Sequence, residues 1–287
     1  MKYSYYPGCS LCSTASEYNL SSEAICAKLG IALEEINDWN CCGATVAHAT
    51  SAHLSVALPL RNLVLAEPQG LDVVVPCAAC YHWLRVAHHQ VVENTPAGRR
   101  ANQEMAAVMG QKYRGSLQVK HLLEVLMEPQ VLAMIKRQLE KPLTGLKLAA
   151  YYGCLMLRPG HVVAFDDPEQ PRQLDNITTA LGAEAVRWSD KVECCGGSFT
   201  LAESGVVSKL SADIISAARR GGAEAIVTAC PLCQANLDTR QQEGTPKMPV
   251  FYITELMGVA LGMPQYKKWF KKHLVDPMPL LKEKGLV

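Results

Sequence analysis

A five-cysteine pattern, written twice, constrains this chain more than any other feature. The first copy is Cys9, the adjacent pair Cys41-Cys42, and Cys77-Ala78-Ala79-Cys80; the second is Cys154, Cys194-Cys195 and Cys230-Pro231-Leu232-Cys233. In both copies 34 residues separate the pair from the C-x-x-C, so Cys42, Cys77 and Cys80 stand 153 positions before Cys195, Cys230 and Cys233. A glycine follows each pair (Gly43, Gly196) and another precedes each leading cysteine (Gly8, Gly153). The pattern predicts two similar metal centres, each within reach of five thiolates.

Twelve cysteines also suffice for six disulfides. That use belongs to small secreted scaffolds, and adjacent cysteines bridge each other poorly. At 287 residues, 49% apolar and 19% charged, the chain is long enough for two modest domains with their own cores. A net charge of +1 gives no basis for nucleic-acid binding. No apolar run approaches the roughly 20 residues that span a bilayer, and the first residues lack the apolar stretch of a signal peptide. A cytoplasmic protein with reduced thiols is the expectation.

The duplication extends beyond the cysteines. Residues 2–6 read as a strand ending at Pro7-Gly8-Cys9, and 13–29 as a helix closed by Gly30. Residues 31–36 read as a second strand leading to Trp39-Asn40-Cys41-Cys42, and 44–67 as a helix containing Pro59. The β-branched run Asp72-Val73-Val74-Val75 then delivers Cys77. Residues 146–152, a helix ending at Leu181-Gly182, 185–188 and 224–228 repeat this order. The closing segments 119–127 and 250–258 correspond too, each with a glutamate (Glu124, Glu255) starting an apolar helix.

Strands alternating with helices predict an α/β fold, here an internal duplication with a small parallel sheet flanked by helices in each half. The expected division is 1–143, 146–262 and a C-terminal tail, 263–287, with 141–145 as linker and 91–118 as a polar, helical surface excursion of the first half. All three cysteine groups of a copy fall just after strand ends. Ligands in open parallel sheets gather outside the carboxyl ends of the strands, so the groups should converge on one edge.

Thiolates are soft ligands that suit zinc or iron–sulfur clusters. Four suffice for a structural zinc or an ordinary cubane, so a fifth points to a larger, irregular cluster or a thiol kept for chemistry. Two adjacent thiolates hardly both take standard vertices on one small ion, whereas they readily ligate or bridge two irons. The small residues after each pair, Gly43-Ala44 and Gly196-Gly197, let backbone N–H groups approach cluster sulfides. Iron–sulfur clusters are the favoured reading, with zinc at one or both sites as the alternative. Cys12 and Cys26 have no counterpart in the second copy and read as small packing hydrophobes. His48, His53, His82, His88 and His89 all lie in the first copy, with His48 and His82 the two nearest a centre along the chain. No G-x-G-x-x-G, P-loop, G-x-S-x-G, H-E-x-x-H or ferredoxin-type cysteine run occurs, so electrons are expected to come from another polypeptide.

The doubled pattern, C-x31-C-C-G-x33-C-x-x-C in the first copy and the same with x39 in the second, resembles the cysteine-rich CCG domain. Tyr5-Tyr6-Pro7-Gly8-Cys9-Ser10-Leu11, Asp38-Trp39-Asn40-Cys41-Cys42-Gly43-Ala44-Thr45 and the tail Lys272-His273-Leu274-Val275-Asp276-Pro277 resemble the B-type (HdrB-like) subunit of heterodisulfide reductase, over essentially the whole chain. The resemblance implies a noncubane 4Fe–4S cluster in each half. Cys9, Cys41, Cys42, Cys77 and Cys80 would hold one, and Cys154, Cys194, Cys195, Cys230 and Cys233 the other. It also implies a heterodisulfide reductase complex with two partner polypeptides, a ferredoxin-like one that delivers electrons and a flavin-containing one that supplies them. The implied reaction is reduction of a disulfide (or oxidation of thiols) between the clusters. The family usually lacks a cysteine at the position of Cys12.

A second function competes: CCG proteins also pass electrons to quinones or respiratory carriers in succinate or lactate dehydrogenase-type complexes. Residues 265–275 bear on this choice. Trp269, Phe270, His273 and Leu274 fall on one helical face, and Lys267, Lys268, Lys271 and Lys272 on the other. Such a basic amphipathic helix docks on another polypeptide of the complex or, less often at this length, lies on a membrane surface. A zinc-stabilised scaffold without catalysis is the third reading, disfavoured by the five-thiolate sets.

Overall fold

The computed structural model describes residues 1–44, 47–200, 202–241, 244 and 246–287. Two four-stranded sheets carry the two halves. The first contains β1 (Lys2–Tyr5), β2 (Ala32–Glu35), β3 (Val73–Val75) and β4 (Val119–His121), in the order β2-β1-β3-β4. The second contains β5 (Lys147–Tyr151), β6 (Glu184–Ala185), β7 (Ala225–Thr228) and β8 (Val250–Tyr252), in the order β6-β5-β7-β8. Every pairing is parallel. The inner strands are buried on both faces, which is why Val73-Val74-Val75 and Ala225-Ile226-Val227 read as unbroken apolar runs. The chain reverses its direction of travel across the sheet between β1 and β3, and again between β5 and β7. A crevice opens at such a switch point, beyond the carboxyl ends of the strands.

Several elements depart from what local pattern alone predicts. The helix expected over 44–67 falls into Ala47–Thr50 and Leu54–Ala66, with Pro59 inside the latter; Thr45 and Val46 lie outside the described residues. β6 stops after two residues where 185–188 promised a longer strand. Val186 N–H still reaches Leu148 O, but the next acceptor, Ala150 O, takes the indole N–H of Trp188 at 3.2 Å. The helical excursion expected over 91–118 is present as the helix Pro96–Met109, capped by the Thr95 hydroxyl on Gly98 N–H. As expected, Gly30 closes the first helix, Ser16–Lys28, with a left-handed φ of +67°.

The halves pack about a pseudo-twofold axis. Helix Ser16–Lys28 of the first lies on helix Ile253–Ala260 of the second. Tyr18 stacks on Tyr252 with ring centroids 4.1 Å apart and planes 2° apart, and Ser21 shares a 2.7 Å hydrogen bond with Thr254. In the reciprocal place Phe165 meets His121 edge-on, and Tyr81 donates to Val163 O. A buried aromatic pair of this kind adds about 0.5–1.5 kcal/mol beyond its burial. Both fourth strands lead straight into helices, Leu122–Leu126 and Ile253–Ala260. Glu124 and Glu255 accept from the first free N–H groups, those of His121 (2.6 Å) and Tyr252 (3.0 Å).

The tail is not one amphipathic helix. It comprises the short helix Tyr266–Trp269, a 3-10 turn over Phe270–Lys272 and, after Pro277, a second helix, Met278–Glu283. Trp269, Phe270 and His273 are buried on the second half, where Phe270 meets Phe251 edge-on and His273 Nε2 lies 2.9 Å from Glu255 Oε1. Trp269 leaves so little room that a Cβ on Gly258 would stand 2.4 Å from its ring. The apolar face is thus covered by the chain's own core. Leu274, expected on that face, points outward with the four lysines.

Candidate metal centres

Each half delivers its five cysteines to the carboxyl edge of its sheet. Cys9 and Cys154 follow β1 and β5, and the adjacent pairs follow β2 and β6. Cys77 and Cys230 follow β3 and β7 as the N-cap residues of helices Ala78–Val92 and Pro231–Thr239. A helix N-terminus favours an anionic thiolate.

The sulfurs pair identically in the two halves. Cys9 and Cys41 are 3.6 Å apart and Cys42 and Cys80 3.4 Å; Cys154 and Cys194 are 3.5 Å apart and Cys195 and Cys233 3.5 Å. These are contact distances, far beyond the roughly 2.05 Å of a disulfide, and all twelve thiols are free. The sets also approach each other, because Cys77 and Cys230 lie close enough across the interface for each to shift the other's pKa, Cys77 downward and Cys230 upward. One end of each set is therefore buried at the pseudo-twofold axis. At the other end Cys9, Cys41 and Cys194 are exposed and Cys154 half-buried. The second set lines a cavity of ≈ 60 Å³ with Tyr152, Leu155, Leu232 and, from the first half, Ala78.

The glycines of the pattern are explained by this geometry. Gly8 and Gly153 adopt φ of +74° and +67°, and a Cβ on either would stand 2.8 Å from Cys80 Sγ or 3.2 Å from Cys233 Sγ. Gly43 and Gly196 adopt φ of +79° and +77°, and their N–H groups point at Cys41 Sγ (3.4 Å) and Cys194 Sγ (3.3 Å). Hydrogen bonds to Cys41 from Cys42 and Cys9, aided by Gly43 N–H, hold its thiol well below the usual range. Cys194 is lowered in the same way by Cys154 and by the N–H groups of Gly196 and Gly197. Cys9 and Cys154 are pushed up, chiefly by hydrogen bonds to these same thiolates. The exposed anionic position, Cys41 and Cys194, is thus the same in both copies, whereas Cys77 is lowered and its counterpart Cys230 is raised.

Other candidates separate. Cys26 is buried in helix Ser16–Lys28, as a packing residue should be, but Cys12 is exposed. Ser13 and Ala15 N–H both fold back onto Ser10 O, and this turn leaves Cys12 on its outer side. His48 and His82 flank Trp83, with ring centroids 5.0 and 4.9 Å away, while His53 pairs with Glu104 and His88 with Tyr113. The supports that sequence reasoning missed are tyrosines and asparagines. Tyr6 and Tyr151 are fully buried, press on the thiols of their own sets, and stand three residues before their leading cysteines. That repeated offset was the available signal. Asn62, also buried, donates to Asn40 O, and Asn236 donates to Cys195 O; neither has a counterpart in the other copy.

Comparison with known proteins agrees with this duplicated architecture. The cysteine-rich CCG domain model matches residues 3–85 and 148–238. The chain is 32% identical to the 8-methylmenaquinol:fumarate reductase membrane anchor subunit of Wolinella succinogenes, covering 97% of this chain and 99% of that protein. It is 29% identical to a protein of Archaeoglobus profundus named as like the B-type subunit of heterodisulfide reductase, over 91% of each. It is also 27% identical to the B-type subunit of a ferredoxin/F420H2-dependent CoB-CoM heterodisulfide reductase from Methanosarcina acetivorans, over 91% of this chain and 89% of that one. The crystal structure of a hypothetical protein from Helicobacter pylori superposes with a TM-score of 0.70 at 12% identity. It covers 95% of this chain, which spans about half (51%) of that protein's length, and it shows the fold alone. Among the described residues no helix is long and apolar enough to cross a membrane. With both halves matched, this chain belongs to the cysteine-rich CCG family, as a protein of the heterodisulfide reductase B-subunit type.

Proposed function

We propose that this chain is the iron–sulfur subunit of a reductase complex in which a disulfide is reduced, or two thiols oxidised, where its two cysteine sets meet. Ten thiols in two sets of five are a donor set fitted to iron–sulfur clusters, and their sulfurs are strung in pairs, not gathered about one point. In this reading Cys9, Cys41, Cys42, Cys77 and Cys80 hold one noncubane 4Fe–4S cluster, and Cys154, Cys194, Cys195, Cys230 and Cys233 hold the other. Two such clusters supply one-electron steps that sum to the two electrons needed to split a disulfide into two thiols, with two protons taken from water.

The chain's own residues set the conditions for this chemistry. The cavity lined by Cys194, Cys195 and Cys230, with Ala78 of the first half, runs from the exposed Cys194 to the inner end of the second set, and a sulfur compound would approach along it. Gly43 and Gly196 N–H groups and the helix N-terminus at Cys77 favour the ionised thiolates that metal binding needs. Tyr6 and Tyr151 exclude water from the inner side. Electrons would arrive in the cytoplasm from a flavin-containing partner polypeptide by way of a ferredoxin-like one. The observation that carries this reading is the identical pairing of sulfurs in two five-cysteine sets, whose inner ends face each other across the interface between the halves.

A quinol-linked reading is favoured by a different observation, the 32% identity over nearly the full length to a protein named as a quinol:fumarate reductase membrane anchor subunit. Here the chain would carry electrons between a quinone pool and a partner enzyme. The exposed strip of Lys267, Lys268, Lys271 and Lys272 would face anionic lipid or an acidic partner. Anaerobic titration of the assembled complex with candidate thiols and disulfides, and separately with quinols, tests both. Cluster spectra shifted by a thiol or disulfide are expected. Spectra shifted by quinol alone would transfer the chain to the second reading.

A further inference from the structure

The peptide entering each adjacent cysteine pair is held by a tyrosine that the cysteine pattern does not include. Tyr6 Oη donates to Asn40 O at 2.8 Å, and Tyr151 Oη donates to Glu193 O at 2.7 Å. Asn40 and Glu193 each stand immediately before their pair. Both rings also crowd the glycine before the leading cysteine: a Cβ on Gly8 would lie 3.3 Å from the Tyr6 ring, and one on Gly153 3.5 Å from Tyr151 Oη. A single side chain thus ties the segment carrying Cys9 to the one carrying Cys41, and another ties Cys154 to Cys194. These are the two pairs of sulfurs found at 3.6 and 3.5 Å.

The ties are not equally redundant. Asn40 O also accepts from Asn62 Nδ2 at 2.9 Å, and Asn40 N–H donates to Asn62 Oδ1 at 2.9 Å. Among the described residues, Glu193 O has only the Tyr151 hydroxyl. Asn236, the buried asparagine of the second half, serves Cys195 O instead.

We propose that Tyr6 and Tyr151 are matched positioning residues, each hydroxyl fixing the peptide that leads into its site's cysteine pair, and that the second site depends on this bond more than the first. This role rests on the reading of the cysteine sets as the working centres, but its first test needs no metal. In metal-free protein under anaerobic, reducing conditions, the alkylation rates of Cys41 and Cys194 by iodoacetamide are followed by mass spectrometry in Tyr6→Phe and Tyr151→Phe. Phenylalanine keeps the buried ring and removes only the hydroxyl. Tyr151→Phe should change the Cys194 rate by roughly 2–10-fold, the scale of one hydrogen bond's net contribution to a local opening equilibrium. Tyr6→Phe should change the Cys41 rate by less, and adding Asn62→Leu should bring the larger change to Cys41.

Protein reconstituted with iron gives the second readout. Tyr151→Phe should alter one component of the electron paramagnetic resonance spectrum while leaving circular dichroism and the other component unchanged. Wild-type rates in Tyr151→Phe, or a larger effect from Tyr6→Phe than from Tyr151→Phe, would overturn the inference. If the protein takes up no iron, the cluster reading fails while the alkylation comparison still decides the role of the tyrosines.

Discussion

Asn40 in the first half and Glu193 in the second occupy the same place, one residue before an adjacent cysteine pair, yet their surroundings have diverged. Asn40 is clamped through both backbone groups by Asn62. Its side chain meets Arg61 Nη1 at 3.1 Å, and Arg61 also reaches Asp38 O at 2.6 Å and the Asp38 carboxylate. Glu193 has none of this; the second half instead ties Cys195 through Asn236, which Thr200 supports at 3.0 Å. The sulfur frame has hardly moved, with spacings of 3.4–3.6 Å in both halves, a left-handed glycine at either end and a tyrosine behind. Features held constant while their supports changed are those the sulfur geometry requires. Each half therefore serves as a control for the other.

The sharpest use of that control is metal content. With two independent sets the chain should hold about eight irons, and Cys42→Ser or Cys195→Ser should each remove about half. Anaerobic iron and acid-labile sulfide analysis measures this. Loss of all iron from either single substitution would make the sets one unit, and zinc in place of iron would refute the cluster reading.

The leading glycines give the next largest contrast. Alanine at Gly8 or Gly153 takes a left-handed backbone at a cost of about 1–2 kcal/mol. At Gly8 the new methyl also collides with Cys80 Sγ at 2.8 Å, adding about 1–3 kcal/mol, whereas at Gly153 the 3.2 Å approach to Cys233 is relieved by a small shift. Urea midpoints and iron retention should fall further for Gly8→Ala than for Gly153→Ala. Equal losses would show that the two frames are more alike than their spacing indicates.

A pH effect should appear in the second half, where the capping glutamate Glu255 meets a histidine from the tail. Burial alone would lower His273, but Glu255, Asp238 and Glu17 outweigh it and raise its pKa above the ordinary histidine value. A raised histidine contributes stability at low pH that is lost as pH climbs through its folded pKa. Glu17 and Asp238, raised mainly by burial, act in the same direction as they ionise. Hydrogen exchange over 263–287 should therefore quicken as pH rises above about 6.5, after correction for intrinsic rates. His273→Gln should flatten the dependence above that pH; an unchanged slope in the variant would remove His273 from this role.

The smallest effects belong to the unmatched cysteines. Cys26→Ser places a hydroxyl in a fully buried site and should lower stability by about 1–3 kcal/mol without loss of iron. Cys12→Ser should fall within about 0.5 kcal/mol of wild type. Iron lost on either substitution would mean that the donor set reaches beyond the repeated five.

Much of this architecture was legible before any coordinates. The duplication, the alternation of strand and helix, the delivery of each cysteine group at a strand end, and the acidic starts at Glu124 and Glu255 are properties of spacing and local periodicity, which a linear chain records directly. The glycines at positions 8, 43, 153 and 196 belong here as well, since a repeated glycine beside a repeated cysteine already signals a special backbone. Other features depend on surfaces that meet only after folding. The approach of Cys77 to Cys230 follows from how the two halves pack, and the truncation of β6 from an indole that takes the acceptor the strand needed. The exposure of Cys12 follows from one turn, and the burial of Trp269 from a glycine eleven positions earlier. The sequence by itself determined which sulfurs belong together within each half, because that information is local. The tertiary structure alone decided that the two halves share an axis, and that each sulfur set is held by one tyrosine, because a hydrogen bond to a distant carbonyl leaves no periodic trace in the chain.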